Sequence, residues 1–451
     1  MSDFVAAPWL DEALASVETS SRFVVYGRVT RVIGQVVEAS SLPLAVGEVC
    51  RIVPDDHSGV LAQVVGFHER GVLLMPLGDI AGIHPGATVI PFGRPLYAQV
   101  GPSLVGRVLD GLGRPIDGRG PIEATRRYPL NADPPSPLDR HRIGAPVGTG
   151  VRAIDGLLTL GQGQRIGIMA GSGVGKSVLL GMIARQTTAD INVIALLGER
   201  GREVREFIER DLGPEGIRRS VVVVATSDQA AVVRCTGALL ATAIAEYFRD
   251  SGRNVLLMMD SVTRVATAWR EIGLAVGEPP TTKGYPPSVF AMLPRLLERA
   301  GTAPRGSITG LYAVLVEGDD FNEPVADAAR SILDGHIVLT RRLANVRHFP
   351  AIDVLESVSR VRDAVISPTH LEAANQFLRL EASYRSHEDL ISVGAYKAGA
   401  DPLTDVAIGM RPEMTEFLRQ GAHEGSTLED AQVRLRRIQA RSQGQAIGER
   451  S

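Results

Sequence analysis

The stretch Ala170–Ser177 reads AGSGVGKS, with an apolar run, Ile166–Ala170, leading in and VLLGMIAR leading out. A strand, a glycine-rich turn and a helix in that order point successive backbone N–H groups inward and make an anion cradle at the helix N-terminus. Gly171, Ser172, Gly173, Val174, Gly175, Lys176, Ser177 and Val178 are therefore the candidate phosphate-binding residues. Lys176 supplies a point charge for terminal phosphates, and the Ser177 hydroxyl is a candidate Mg²⁺ ligand. The chemistry implied is binding of a nucleoside triphosphate. Ala170 stands where the pattern G-x-x-x-x-G-K-[ST] has glycine. Glycine there only eases the turn, so alanine is a mild cost while its φ stays negative.

Hydrolysis needs a second carboxylate-bearing strand, a group to polarise water and further positive charge. The run NVLLMMD ends at Asp260, placed to hold the Mg²⁺ shell opposite Ser177. An aspartate also commonly closes a strand for structural reasons, so this position alone is a weak signal. The run INVIALLG ends in GERGREVREF, and Glu199 stands where a carboxylate could polarise an attacking water. Equally, Glu199 could be a solvated residue among Arg200, Arg202 and Arg205; spacing does not choose. An arginine finger would supply the remaining charge, but the basic residues are almost all arginine, so composition cannot pick one. The Met258–Met259 pair reads as core.

These residues must be carried on a scaffold, and the chain changes character along its length. Residues 1–21 place Trp9, Leu10, Ala13, Leu14 and Val17 on one helical face, an amphipathic segment suited to packing at home or to binding a partner. Residues 22–94 hold short β-rich runs separated by Gly, Pro and Asp, as in a small barrel. Residues 95–150 are dominated by turn chemistry, as in VGRVLDGLGRPIDGRGPI and NADPPSPLDR, and read as an entry that wraps the next domain. From about 150 to 365 apolar strands (QRIGIMA, INVIALLGE, SVVVVAT, NVLLMMD, ITGLYAVLVE, HIVLTRRL) alternate with helical patterns, indicating a parallel sheet covered on both faces. Ligands then sit at the carboxyl ends of the strands. The remainder reads as helices: SPTHLEAANQFLRLEASYR, EDLISVG, PEMTEFLRQ and LEDAQVRLRRIQARSQ.

Bulk properties narrow the function classes. A chain of 451 residues exceeds one ordinary core. Its 48 basic and 51 acidic side chains leave a net charge of −3, against strong phosphate-backbone binding over the whole surface. Cys50 and Cys235 match no metal spacing and read as buried small hydrophobes in a reducing cytosol. No signal-peptide pattern opens the chain, and no uninterrupted apolar run approaches the roughly 20 residues that span a bilayer. The expectation is a cytoplasmic protein that could dock on a membrane assembly.

The central stretch resembles the catalytic subunits of the rotary ATP synthase superfamily. The residues that carry this are GRVLDGLGRPIDGRGPI (106–122), GVRAIDGLLTLGQGQRIGIMAGSGVGKS (150–177), LLGERGREVREF (196–207), MDSVTR (259–264), GEPPTTKGYPPSVF (277–290) and PAIDVLESVSR (350–360). Within the superfamily the sequence is most similar to the flagellar type III protein export ATPases, through GYPPSVFAMLPRLLERAG, EGDDFNEPVADAARSILDGHIVLTRRLA and GAYKAGADPLTDVAI. Injectisome export ATPases share most of these strings and are the main alternative. A synthase subunit is disfavoured because GAYKAGADPLTD stands where synthase subunits carry an acidic run. A ring helicase is disfavoured because residues 22–94 offer few basic or aromatic surfaces for nucleic acid.

The resemblance implies a RecA-like α/β domain over residues 95–368, a β-barrel before it over 22–94 and a helical domain over 369–451. It implies ATP and Mg²⁺. Lys176 and Ser177 match the phosphate and metal ligands, Glu199 the residue that orients water, with Arg200 beside it in GER. Asp260 matches the acidic strand end that shares the metal, and Arg264 the arginine of the same motif. Arg360 in SVSR matches the arginine that reaches a neighbouring subunit's γ-phosphate. Phe349 matches the aromatic that packs on adenine; tyrosine is common there, and phenylalanine keeps the stacking face without the hydroxyl. The partners implied are further copies in a homohexameric ring, a stator-like regulator at residues 1–21, a central stalk-like subunit, the export gate at the inner membrane and export substrate–chaperone complexes, with no nucleic acid.

Overall fold

The computed structural model describes residues 25–54, 59–69, 71–316 and 323–448. The segment 1–21, where an amphipathic helix is expected, lies outside the described residues. The chain divides into two compact units, Met1–Leu96 and Tyr97–Ser451.

In the first unit, six strands close into a barrel: Gly27–Ile33, Val36–Ser40, Glu48–Val53, Val60–His68, Gly71–Pro76 and Thr88–Pro95. Around the barrel their order is first, second, fifth, fourth, third, sixth, every pair antiparallel. The period of two sends Val29, Val37, Ile52, Leu74 and Val89 inward. Gly71 sits where a Cβ would stand 1.9 Å from the Ala39 carbonyl oxygen, so only glycine lets the two strands meet there. Cys50 is free and inside this core, where burial pushes its thiol up to about 12; Cys235 is likewise free and buried.

The second unit is built on a large, mainly parallel sheet. Its strands run in the order Ile352–Ser359, Gly335–Leu339, Arg165–Ala170, Ser307–Leu315, Asn254–Asp260, Ile191–Leu197, Ser220–Ala225 and Val108–Asp110. All neighbours are parallel except the edge strand Ile352–Ser359, which is antiparallel. Every apolar run read as a strand is one. The two edge strands are additions. HIVLTRRL is shorter than expected: Thr340 caps the helix Arg341–Asn345 by accepting from the Leu343 N–H, which ends the strand at Leu339. Strands such as Ser220–Ala225 are buried along their whole length, as a sheet covered on both faces requires. Met258 and Met259 are fully buried in the core. The helix Ala231–Asp250 is long and apolar enough to cross a membrane by composition, yet it packs on this sheet and most of its residues are buried.

The turn-rich segment is tied down. Arg107, itself buried, grips Asp117 through Nε and Nη2 at 2.7 and 2.9 Å, and this ion pair holds the Asp117 carboxyl well below its usual range. The hairpin so closed lays Val108–Asp110 on the sheet edge. Farther on, Arg299 donates to the Leu130 carbonyl at 2.5 Å while pairing with buried Glu246 at 2.6 and 2.8 Å.

Three helices complete the unit: Pro368–Ser392, Pro402–Leu418 and Leu428–Gly448. EDLISVG, read as a separate helix, is the last part of the first of these; no Gly or Pro interrupts it before Gly394. Arg152 joins these helices to the sheet. Its guanidinium, 2% exposed, donates to the carbonyls of Phe417 (3.2 Å), Glu416 (3.4 Å) and Arg419, filling orphan acceptors at the end of the second helix. Gln420 continues the seam: its side chain accepts from the Arg152 N–H at 2.9 Å and donates to the Gly150 carbonyl at 2.7 Å.

Candidate functional site: a phosphate loop at the carboxyl edge of the sheet

The strand Arg165–Ala170 ends in the loop Gly171–Gly175, and the helix Lys176–Gln186 starts at once. Gly173 and Gly175 have φ of 79° and 92°, which turns the loop's N–H groups toward one point. A cleft of about 420 Å³ opens over this loop. It is lined by Gly171, Ser172, Gly173, Gly175, Lys176, Ser177, Val178, Glu199, Arg200 and Arg264, among others. Val174 faces away, 2% exposed in the core.

Adjacent strands deliver the charges. Asp260 closes one strand and Glu199 follows another, and both carboxylates converge on Lys176. The Lys176 ammonium hydrogen-bonds Asp260 Oδ1 and lies 3.7 Å from Glu199 Oε1. Arg264, on the helix Val262–Ala275, brings its Nε to 3.4 Å from Glu199 Oε1 without hydrogen-bond geometry, so this buried N–H is unsatisfied. Gly198 makes room for it: with φ of 72°, a Cβ there would stand 2.6 Å from Arg264 Cδ. Burial, then the Asp260 charge, raises the Glu199 pKa against the pull of Lys176 and Arg264. A carboxylate tuned upward is a better proton acceptor near neutral pH. Arg200 reaches the cleft rim, but its side chain is 75% exposed and pairs with Glu203 at 3.3 Å.

Phe349 lies beside the loop, its ring 3.6 Å from where a Gly175 Cβ would point. The short segment that carries it is gripped by the helical region. The Gln420 N–H donates to the Phe349 carbonyl at 2.9 Å, and Arg419 Nη2 donates to the Arg347 carbonyl at 2.9 Å. His348 between them is buried, and burial together with the Arg419, Arg411 and Arg342 charges lowers its pKa to about 4.

Arg360 is the exception. It is exposed and follows the edge strand at Ser359, which pairs with Gly335, the first residue of its antiparallel neighbour. That is the amino edge of the sheet, opposite the phosphate loop. The structure thus brings Lys176, Ser177, Glu199, Asp260, Arg264 and Phe349 together and leaves Arg360 outside the cleft of its own chain.

The oxygen donors fit a hard cation: the Ser177 side chain opens to the cleft and the Asp260 carboxylate, 5% exposed, lies within reach of the same lysine. Sequence reasoning missed Gly198, whose need for a bare Cα follows from Arg264, and the cleft wall of Glu203, Glu206, Arg210 and Asp211, which carries no spacing signal.

A mainly parallel sheet with such a loop and a flanking carboxylate pair defines a phosphate-loop nucleotide-binding domain. Family models place this chain further. Residues 150–359 match the nucleotide-binding domain of the ATP synthase alpha/beta family, residues 29–93 its β-barrel domain, and residues 366–437 the C-terminal domain of the type III secretion ATPase EscN. The flagellum-specific ATP synthase of Bacillus subtilis (strain 168) is 55% identical over 92% of this chain and 95% of its own. A type 3 secretion system ATPase of Sinorhizobium fredii (strain NBRC 101917 / NGR234) is 52% identical over 93% and 94%. The assembled ATPase EscN of the enteropathogenic Escherichia coli type III secretion system superimposes with a TM-score of 0.87 at 48% identity, covering 91% of this chain and 99% of that one. The chain belongs to the ATP synthase alpha/beta family, in the branch that holds the flagellum-specific ATP synthases and the type 3 secretion system ATPases.

Proposed function

We propose that this chain hydrolyses Mg-ATP as the ring-forming motor of flagellar type III protein export, working at the cytoplasmic face of the inner-membrane export apparatus. The observation that carries the reading is the convergence of Glu199 and Asp260 on Lys176 at the mouth of the loop. In the reaction the loop N–H groups and Lys176 bind the β- and γ-phosphates. Ser177 and Asp260 would hold Mg²⁺, which would supply positive charge to the phosphate oxygens. Glu199 accepts a hydrogen bond from the attacking water and aligns it; Phe349 stacks on the base. Arg264 holds Glu199 from the other side, and Arg200 marks the rim.

The charge still lacking comes from Arg360 of the next subunit, which its place at the far edge of the sheet favours. Head-to-tail contacts of this kind close into a ring, and the family pattern makes that ring a hexamer. A structure of EscN with its central stalk EscO, at a TM-score of 0.85 and 47% identity, supports a stalk-like partner in the ring's centre. A stator-like regulator would engage residues 1–21, while the export gate and substrate–chaperone complexes would meet the ring from outside. No nucleic-acid substrate is part of this reading. The test is complementation: the chain should restore motility to a flagellar-export-null strain, and Lys176→Ala should fail with the ring still assembled. Restoration of injectisome secretion without motility would move the assignment to the sister system.

A further inference from the structure

Arg360 has a rigid base and an unrestrained head. Among the described residues, its guanidinium makes only a 3.5 Å contact with the Arg330 carbonyl. Its backbone N–H is fixed, donating to the Asp334 carbonyl at 3.0 Å. That carbonyl also accepts from Gln164 Nε2 at 3.2 Å, and the Asp334 carboxylate takes the Arg165 N–H at 3.0 Å and its guanidinium at 3.2 and 3.3 Å. Gln164 is fully buried and uses its whole amide: Oε1 accepts from the Gly161 N–H at 3.0 Å, and Nε2 also donates to Ser359 Oγ at 3.1 Å. Ser359 Oγ in turn donates to the Thr159 carbonyl at 3.2 Å. Gly335, opposite Ser359, would carry a Cβ 2.2 Å from the Val358 carbonyl oxygen, so the two strands close to the limit of approach at this point.

We propose that Gln164, Ser359 and Asp334 are positioning residues for Arg360, a hydrogen-bonded polar seat anchored on buried Gln164 that aims the finger at the neighbouring subunit's phosphate site. The inference rests on the reading of Arg360 as a finger acting in trans. Its physical basis is that a long, flexible arginine delivers charge to a developing transition state only if its Cα is fixed, since a shift of about 1 Å at the reacting centre can cost on the order of 10²-fold in rate. By contrast, the guanidinium groups of Arg205 and Arg218, also exposed, pair with acidic neighbours on their own helical turns. The seat also occupies the entrance of the strand Arg165–Ala170, whose other end opens into this chain's own phosphate loop. One strand therefore holds the site a subunit uses and the residue it lends.

Mixed rings test this. Lys176→Ala chains have intact fingers and dead loops; Arg360→Ala chains have intact loops and dead fingers. Mixing the two should regain ATPase activity at interfaces that combine the intact halves. Ser359→Ala placed on the finger-lending Lys176→Ala chain should cut that regained kcat by about tenfold with KM unchanged, and Ser359→Thr should restore it. The same Ser359→Ala on the Arg360→Ala chain should change nothing. Gln164→Met should behave likewise in both arrangements. Equal loss in both arrangements means a general folding role and overturns the proposal, as does no loss in either. Failure of the parent mixture to regain activity overturns the trans-finger reading and the seat with it; recovery of the parent mixture with an indifferent Ser359→Ala sinks the seat alone.

Discussion

The two edges of the central sheet are built on opposite electrostatic plans. At the carboxyl edge charges are crowded and incompletely satisfied: Lys176 is shared by two carboxylates, Glu199 is pushed toward its protonated form and the Arg264 Nε–H has no acceptor. At the amino edge, around Gln164 and Asp334, the side-chain amide and carboxylate have partners. The first arrangement is one that an incoming triphosphate and cation would complete. In the second, the Gln164 amide and the Asp334 carboxylate are already satisfied within the chain. Crowded charges leave binding energy for a ligand to supply, and a hydrogen-bonded amide and carboxylate hold geometry where it must not drift.

Breaking either edge should abolish turnover by different routes. The largest effect is expected for Arg360→Ala: kcat should fall by about 10³-fold or more while nucleotide binding, read with a fluorescent ATP analogue, persists. Wild-type kcat in that variant would erase the contrast, since the amino edge would then contribute nothing to the reaction. Next comes Glu199→Gln, with a loss of roughly 10² to 10⁴-fold in kcat and Mg-ATP still bound. Because the fold raises the Glu199 pKa, the wild-type rate should fall as pH drops through that raised value, and the variant's residual rate should lack this acid limb.

A smaller effect belongs to the flank of the carboxyl edge. Phe349→Ala should raise KM for ATP by about tenfold, the worth of one stacked base, and Phe349→Tyr should leave it near wild type. Smallest is a stability change at His348. Its folded pKa is depressed to about 4 from 6.5, so its contribution is fully present above pH 6.5 and is lost as pH falls toward 4. Urea midpoints at pH 7 and pH 5 should therefore differ more for wild type than for His348→Asn.

Much of the carboxyl edge was legible in the sequence because its signals are local. Glycines that must adopt positive φ, a lysine and a hydroxyl at adjacent positions, and carboxylates at the ends of apolar runs all lie within a few residues of the element that places them. The amino edge has no such signature. Gln164 meets Ser359 from 195 positions away and otherwise serves backbone atoms, which leave no trace in composition. Arg360 was found only through resemblance to a family. Val108–Asp110 escaped because three residues inside a turn-rich segment carry no periodicity, and a local ion pair, Arg107 on Asp117, is what lays them on the sheet.

The segment from Arg347 to Pro350 has a mechanical consequence. Its carbonyls are clasped by Arg419 and Gln420, at the end of a helix that reaches back to residue 402. A clasped segment of this length transmits displacement instead of absorbing it. Tilting that helix by a few degrees would lift the Phe349 ring from Gly175 and loosen whatever base lies there. The dwell time of a nucleotide would then be set by leverage applied at the far end of the helices, as a latch is worked from its handle.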